Sequence, residues 1–80
     1  SKIIGKAVIE ATKISAVITD RNHENCKELV NLIFGRCEIL KAEILAICKS
    51  EVNFDQKENL MLAEQAAATD YFNSILAQIC

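Results

Sequence analysis

The chain has 80 residues, a length that accommodates one domain, and 51% of them are hydrophobic with no proline. Its formal net charge of -2 comes from nine basic and eleven acidic residues, which are interspersed along the sequence rather than grouped. We therefore expect no nucleic-acid binding, and no apolar run approaches the roughly 20 residues that a membrane-spanning helix needs.

The first predicted helix covers residues 2–19. Its apolar residues recur at steps of three and four, the spacing of one face of an amphipathic helix, and they are Ile4, Ala7, Ala11, Ile14 and Ile18. A polar turn over residues 19–22 follows. In this turn, Asp20 or Asn22 can cap the next helix.

The second predicted helix covers residues 23–52. Steps of four and three alternate along one row, which we call the core seam: Cys26, Val30, Ile33, Cys37, Leu40, Ile44 and Ile47. A second set of apolar residues widens this surface beyond one stripe: Leu29, Leu32, Phe34, Leu45 and Cys48. We expect this helix to contact two neighbours and to keep some apolar surface uncovered.

The third predicted helix covers residues 55–80, after a turn in which Asn53 with Gln56, or Asp55 with Glu58, has capping-box spacing. Its predicted inward residues are Met61, Ala68, Phe72, Ile75 and Ile79, with Leu62, Tyr71 and Leu76 beside them. Short turns make neighbouring helices antiparallel. The sequence thus predicts one all-α domain over residues 1–80, an up-down-up antiparallel three-helix bundle. The alternative prediction is an incomplete four-helix bundle that self-association or a partner completes.

Gly35 lies in the middle of the second predicted helix, where glycine costs about 1 kcal/mol relative to alanine. When the third helix folds back about its turn, Phe72 comes near residue 35. We therefore expect the absent side chain to make room for the Phe72 ring. The alternative is a hinge at which the long helix bends.

Three of the four cysteines, Cys26, Cys37 and Cys48, are eleven residues apart in the second helix. This spacing puts neighbours about 16 Å apart, so they can neither bridge one another nor share a metal ion. Cys80 can come alongside Cys26, which makes these two a candidate close thiol pair. Buried reduced thiols are the main interpretation, with a Cys26–Cys80 disulfide and metal ligation as alternatives. Reduced thiols fit a reducing compartment and predict a cytoplasmic location.

His23 is the only histidine, and it stands in a polar turn beside Glu24 and Asn25. A catalytic histidine needs an orienting acid and a nucleophile or substrate, so an exposed first-turn residue is the main interpretation and phosphotransfer a distant alternative. The sequence has no glycine-rich phosphate loop, no metal-spaced cluster and no nucleophile elbow. We expect no enzyme activity and no cofactor.

Two segments of the chain resemble those of a known family. They are Asn25–Ile33 (NCKELVNLI) and the ending Ile79-Cys80, which follows an alanine-rich stretch. They resemble the helical-bundle N-terminal domains of the mixed-lineage kinase domain-like pseudokinase, its plant counterparts and plant U-box ligases. Two features depart from that pattern: Asn31 and Leu32 stand where basic residues are frequent, and the family's bundles usually have a fourth helix. The resemblance implies a regulatory head that self-associates and, in the pseudokinase branch, attacks membranes.

The sequence therefore predicts a non-catalytic interaction or self-association module of a larger regulatory or signalling protein, with a protein partner or a second copy as its ligand. A membrane-perturbing bundle of the cell-death effector type is the alternative, although the weakly acidic charge balance disfavours anionic lipid. The residues predicted to form the core or the interaction surface are Cys26, Val30, Ile33, Phe34, Cys37, Leu40, Ile44 and Phe72.

Overall fold

A computed structural model describes residues 2–21 and 24–79 and shows the predicted all-α three-helix bundle. The helices are α1 (Lys2–Asp20), α2 (Cys26–Lys49) and α3 (Phe54–Ile79), and each packs against both of the others. Cross-helix contacts fix the up-down-up order. Cys37 of α2 contacts Ala7 of α1, and Lys57 in the first turn of α3 reaches Cys48 near the end of α2. The bundle measures 45 × 16 × 16 Å.

One apolar core runs along the axis of the bundle, and every described residue that is fully buried in it is hydrophobic. Its members recur at helical spacing on all three helices: Ala7, Ala11, Ile18, Leu29, Ile33, Cys37, Leu40, Ile44, Ala68, Phe72 and Ile75. Phe72, Ile18, Ile33 and Leu40 are the largest completely enclosed side chains. Small residues on α1 let this helix approach closely, while Phe72 fills the space between the helices.

The apolar faces of α1 and α3 largely follow the predicted rows. On α1, Ile4 and Ile14 are half-buried against the core beside the three buried members of their row. On α3, the prediction is wrong for Leu62, which is 49% exposed. Leu62 is one residue beyond Met61, and one residue turns a helix by about 100°, which carries its side chain out of the interface with α2.

The ends of α2 differ from the predicted range of 23–52, because the helix begins at Cys26 and ends at Lys49. Ser50 leaves the helical conformation with ψ of 163°, and its N–H and hydroxyl both donate to the Ile47 carbonyl, at 3.1 and 2.6 Å. Lys57 Nζ donates to the Cys48 carbonyl at 2.8 Å. These donors satisfy carbonyls that a helix end leaves without intrahelical partners, so the chain turns three residues earlier than expected.

The caps of α2 and α3 are Asn25 and Asn53. Asn25 precedes α2, and its carbonyl accepts from the Leu29 N–H at 2.9 Å; the predicted cap Asp20 is instead the last residue of α1, and Asn22 lies outside the described residues. Asn53 Oδ1 accepts from the Gln56 N–H at 2.9 Å. This is the side-chain half of one of the two predicted capping boxes.

Gly35 does not pack against Phe72, so the predicted role of this glycine is wrong. Gly35 is exposed, and a Cβ built on it meets no atom within 4 Å, whereas Phe72 is completely buried. Helix α2 continues without interruption through residue 35. The glycine therefore opens the outer surface of α2 rather than its core.

Candidate interaction surface

The predicted site residues lie mainly in the core. Ile33, Cys37, Leu40, Ile44 and Phe72 are buried, which leaves them unable to meet a partner while the bundle is closed. Cys26 and Val30 are half-buried against the core, and Leu29 takes the buried position that was predicted for Val30. Phe34 is 38% exposed and lies outside the core. Of the predicted set, Phe34 is thus the member most accessible to another molecule.

Helix α2 carries a second row at four-three spacing on its outer side, which we call the outer seam. Its members are Glu28, Leu32, Gly35, Ile39, Ala42, Ala46 and Lys49, and all seven are exposed. Leu32 and Ile39 each keep 49% of their surface open to solvent. Such a row has the pattern by which one helix packs on another in a coiled coil.

A row without charged residues lies on α3, on the side turned toward the outer seam. We call it the α3 row, and it consists of Leu60, Ala63, Ala67, Tyr71, Ser74 and Gln78. Tyr71 is half-buried and the other five are exposed. The outer seam and the α3 row together form a two-helix face whose exposed charges are Glu28 and Lys49 at the ends of the α2 row, with the half-buried Arg36 and Glu43 at its inner edge.

An open cavity of about 230 Å³ lies between these two rows at mid-height of the bundle. Its lining residues are Asn31, Leu32, Gly35, Arg36, Ile39 and Tyr71. The absent side chain of Gly35 leaves this space open, and the Arg36 guanidinium carbon stands 5.6 Å from the centre of the Tyr71 ring. This cation–π contact ties α2 to α3 at the floor of the cavity.

A second groove, between α1 and α3, is polar. It encloses about 370 Å³ and is lined by Lys6, Glu10, Leu62, Gln65, Ala66, Thr69 and Asp70. The Thr69 hydroxyl donates to Glu10 Oε2 at 2.9 Å and joins the two helices. The groove contains side chains of both charges, and its hydrogen bond joins two helices of the same bundle. It therefore lacks the apolar character expected of a docking surface for another protein.

The three described cysteines occupy three different environments, and all three are free thiols. Cys37 is buried, and its Sγ lies 3.9 Å from the Ala7 carbonyl oxygen. Burial raises the pKa of the Cys37 thiol, and the neighbouring carboxylates of Glu38 and Glu10 raise it further. Cys26 is half-buried with its Sγ 3.7 Å from Thr19 Oγ1, and Cys48 is exposed, contrary to the expectation of burial. Cys80 lies outside the described residues, so the Cys26–Cys80 pair stays a prediction.

Among residues 2–21 and 24–79, no three His, Cys, Asp or Glu side chains come together in a way that could hold a metal ion. None of the three helices, as described, is both long and apolar enough to cross a membrane. His23, on which the phosphotransfer alternative depends, lies outside the described residues.

Comparison with known proteins gives no relative: no protein-family model, no curated protein and no solved structure matches this chain. The resemblance to the pseudokinase and U-box N-terminal domains therefore stays a prediction. The outer seam, rather than any likeness, is the feature from which a function can be argued. The seam was not predicted from the sequence, because alanine and glycine differ little in hydrophobicity from their polar neighbours. The signal that could have found it was the four-three spacing from residue 28 to residue 49.

Proposed function

We propose that this chain is a non-catalytic interaction or self-association module of a larger regulatory protein in the cytoplasm. The observation that carries the proposal is the outer seam of α2, which repeats the four-three spacing of a packed helix face while all of its members are exposed. Isolated exposed apolar residues are normal on soluble proteins. A regular row beside a second uncharged row is the arrangement that helix packing uses.

The extent of exposed surface supports the same proposal. The accessible surface is 5367 Å², against about 4,800 Å² expected for a folded monomer of 8.9 kDa. The elongated shape of the bundle accounts for part of this excess. Leu32 and Ile39 on α2 and Leu60 on α3, each close to half exposed, are the large apolar residues on the two-helix face. A partner on the two-helix face would remove them from water, which favours association by about 25 cal/mol for each Å² of apolar surface.

Light scattering with size-exclusion chromatography tests this proposal. We expect the molar mass to rise above the 8.9 kDa of one chain as the concentration increases into the high micromolar range. The buffer should contain a reducing agent, so that disulfides through the exposed Cys48 do not imitate assembly. A mass that stays at one chain across this range would contradict self-association.

The membrane-perturbing alternative requires the bundle to open so that α1 can insert, because the continuous apolar row of α1 is packed in the core. The apolar residues that α1 exposes in the closed bundle are Val8, Ile9 and Val17. They do not form one stripe, because Val8 and Val17 are nine positions apart and lie on opposite sides of the helix. Insertion into a bilayer needs a continuous apolar face. Dye release from anionic liposomes distinguishes this alternative, since an interaction module should release none.

A further inference from the structure

The outer seam contains two rows of residues seven positions apart. Glu28, Gly35, Ala42 and Lys49 form one row, with opposite charges at its ends and the two smallest residues between them. Leu32, Ile39 and Ala46 form the other, which lies on the α3 side of the first. Residues seven apart stay on nearly the same side of a helix, with a drift of about 20° per heptad. Both rows therefore run along the length of α2.

The two rows are complementary to themselves when one copy is reversed against another. A twofold axis near residue 39 brings Glu28 of each copy level with Lys49 of the other. It also sets Gly35 against Ala42, so that the two helices can approach closely. In the second row, Leu32 meets Ala46 and Ile39 meets its own counterpart. A parallel pair would instead place like charges together at both ends of the seam.

From this complementarity we propose that the outer seam binds the outer seam of a second copy of this chain, with the two α2 helices antiparallel. This proposal rests on the proposed function and names its partner. The antiparallel pairing places α3 of one copy beside α3 of the other, so α2 and α3 of both copies make a four-helix bundle. The α3 row meets its own counterpart there, and it has no charged residue to bury.

The size of the two-helix face agrees with a specific dimer. One lateral face of a bundle of 45 × 16 Å covers about 700 Å², close to the roughly 800 Å² that each partner contributes to a standard interface. The cavity at Gly35 lies near the middle of this face, where the second copy would fill it. Arg36 and Glu43, both half-buried at the edge of the seam, also come level with each other across the same axis.

The first test is Ile39→Glu, which places two carboxylates at the twofold axis. The matched control is Ile9→Glu, the same change at a residue of α1 that is 57% exposed. Sedimentation of the wild type should give a dimer of about twice 8.9 kDa. Ile39→Glu should weaken the dimer at least about tenfold, whereas Ile9→Glu should change the dissociation constant less than about twofold. Helical circular dichroism should be unchanged in both, because both residues are exposed.

The second test exchanges the charges at the ends of the seam. Glu28→Lys and Lys49→Glu should each weaken the dimer about tenfold at low ionic strength, because symmetry breaks two ion pairs at once. The double variant should recover wild-type affinity. Added salt should weaken the wild-type dimer and strengthen both single variants.

These results separate the two proposals. A wild-type oligomer that Ile39→Glu leaves intact would overturn the outer-seam dimer and leave self-association standing. Equal weakening by Ile9→Glu, or a double charge variant that stays weak, would also overturn the antiparallel pairing. A wild type that remains monomeric at high micromolar concentration would overturn both proposals.

Discussion

At the residue scale, Gly35 lies on the exposed surface of α2 and lowers the stability of this helix. Glycine costs a helix interior about 1 kcal/mol relative to alanine, and an added Cβ at this position meets no atom within 4 Å. We therefore expect Gly35→Ala to raise the unfolding free energy of the monomer by about 0.5–1 kcal/mol. Urea denaturation at low micromolar concentration, followed by circular dichroism, measures this change. A loss of stability would mean that residue 35 is enclosed.

Cys37 and Cys48 should differ in thiol reactivity, because only the thiolate reacts and only an accessible sulfur is attacked. Cys37 is buried and its pKa is raised above the ordinary value, whereas Cys48 is exposed. At mildly alkaline pH, iodoacetamide should modify Cys48 faster than Cys37, as mass spectrometry of the tryptic peptides would show. Modification of Cys37 at the rate of Cys48 would contradict its position in the core.

The raised pKa of Cys37 also has a consequence for stability. The folded state holds the Cys37 proton more tightly than the unfolded chain does, so this thiol favours folding below the pKa of the unfolded thiol. That contribution decreases as the pH rises through the unfolded and then the folded pKa. We expect the unfolding free energy to decrease above about pH 9, and to decrease less steeply in Cys37→Ala. Parallel slopes in the two proteins would exclude a contribution from this thiol.

At the scale of elements, the turn from α2 to α3 is held by side chains that cap both helices. Asn53 accepts from the Gln56 N–H at the start of α3, and Lys57 donates to the Cys48 carbonyl at the end of α2. Replacing a capping asparagine by alanine typically costs about 1 kcal/mol. Asn53→Ala should therefore lower the unfolding free energy by about this amount. Asn53→Ser should keep most of the wild-type stability, because serine also caps helices. An alanine variant as stable as the wild type would show that the cap contributes nothing.

Helix number and most core rows could be predicted from the sequence because they depend on apolar spacing. Ile33, Leu40 and Phe72 are large, and their periodicity contrasts strongly with the charged residues between them. The ends of α2 could not be predicted in this way, because α2 stops where Ser50 and Lys57 satisfy its last carbonyls. Lys57 belongs to the next helix, so its contribution depends on tertiary structure rather than on local pattern.

The interaction surface was only partly predictable for a related reason. An excess of apolar surface on the second helix was expected, and Leu32 and Phe34 are indeed exposed. Spacing alone, however, cannot tell which of two rows on one helix faces the core. The choice depends on volume, since the row with Ile33, Leu40 and Ile44 fills the interior, whereas Gly35, Ala42 and Ala46 would leave it empty.

At the scale of the whole molecule, the thin bundle links stability to assembly. A domain of this size has a stability of about 4–12 kcal/mol, and much of the apolar surface of α2 and α3 stays exposed in the single bundle. A second copy that binds only the folded chain adds stability in proportion to the logarithm of the protein concentration.

We therefore expect the thermal midpoint of the wild type to rise with protein concentration, because the dimer opposes unfolding by mass action. For a domain below 100 residues, each kcal/mol of added stability raises the midpoint by about 4–8 °C. The midpoint of Ile39→Glu should rise less over the same concentration range, because its dimer is weaker, and Ile9→Glu should follow the wild type. Calorimetry between low and high micromolar concentration makes the comparison. A wild-type thermal midpoint that does not change with protein concentration would contradict this prediction, because it would show that assembly adds no stability to the folded chain.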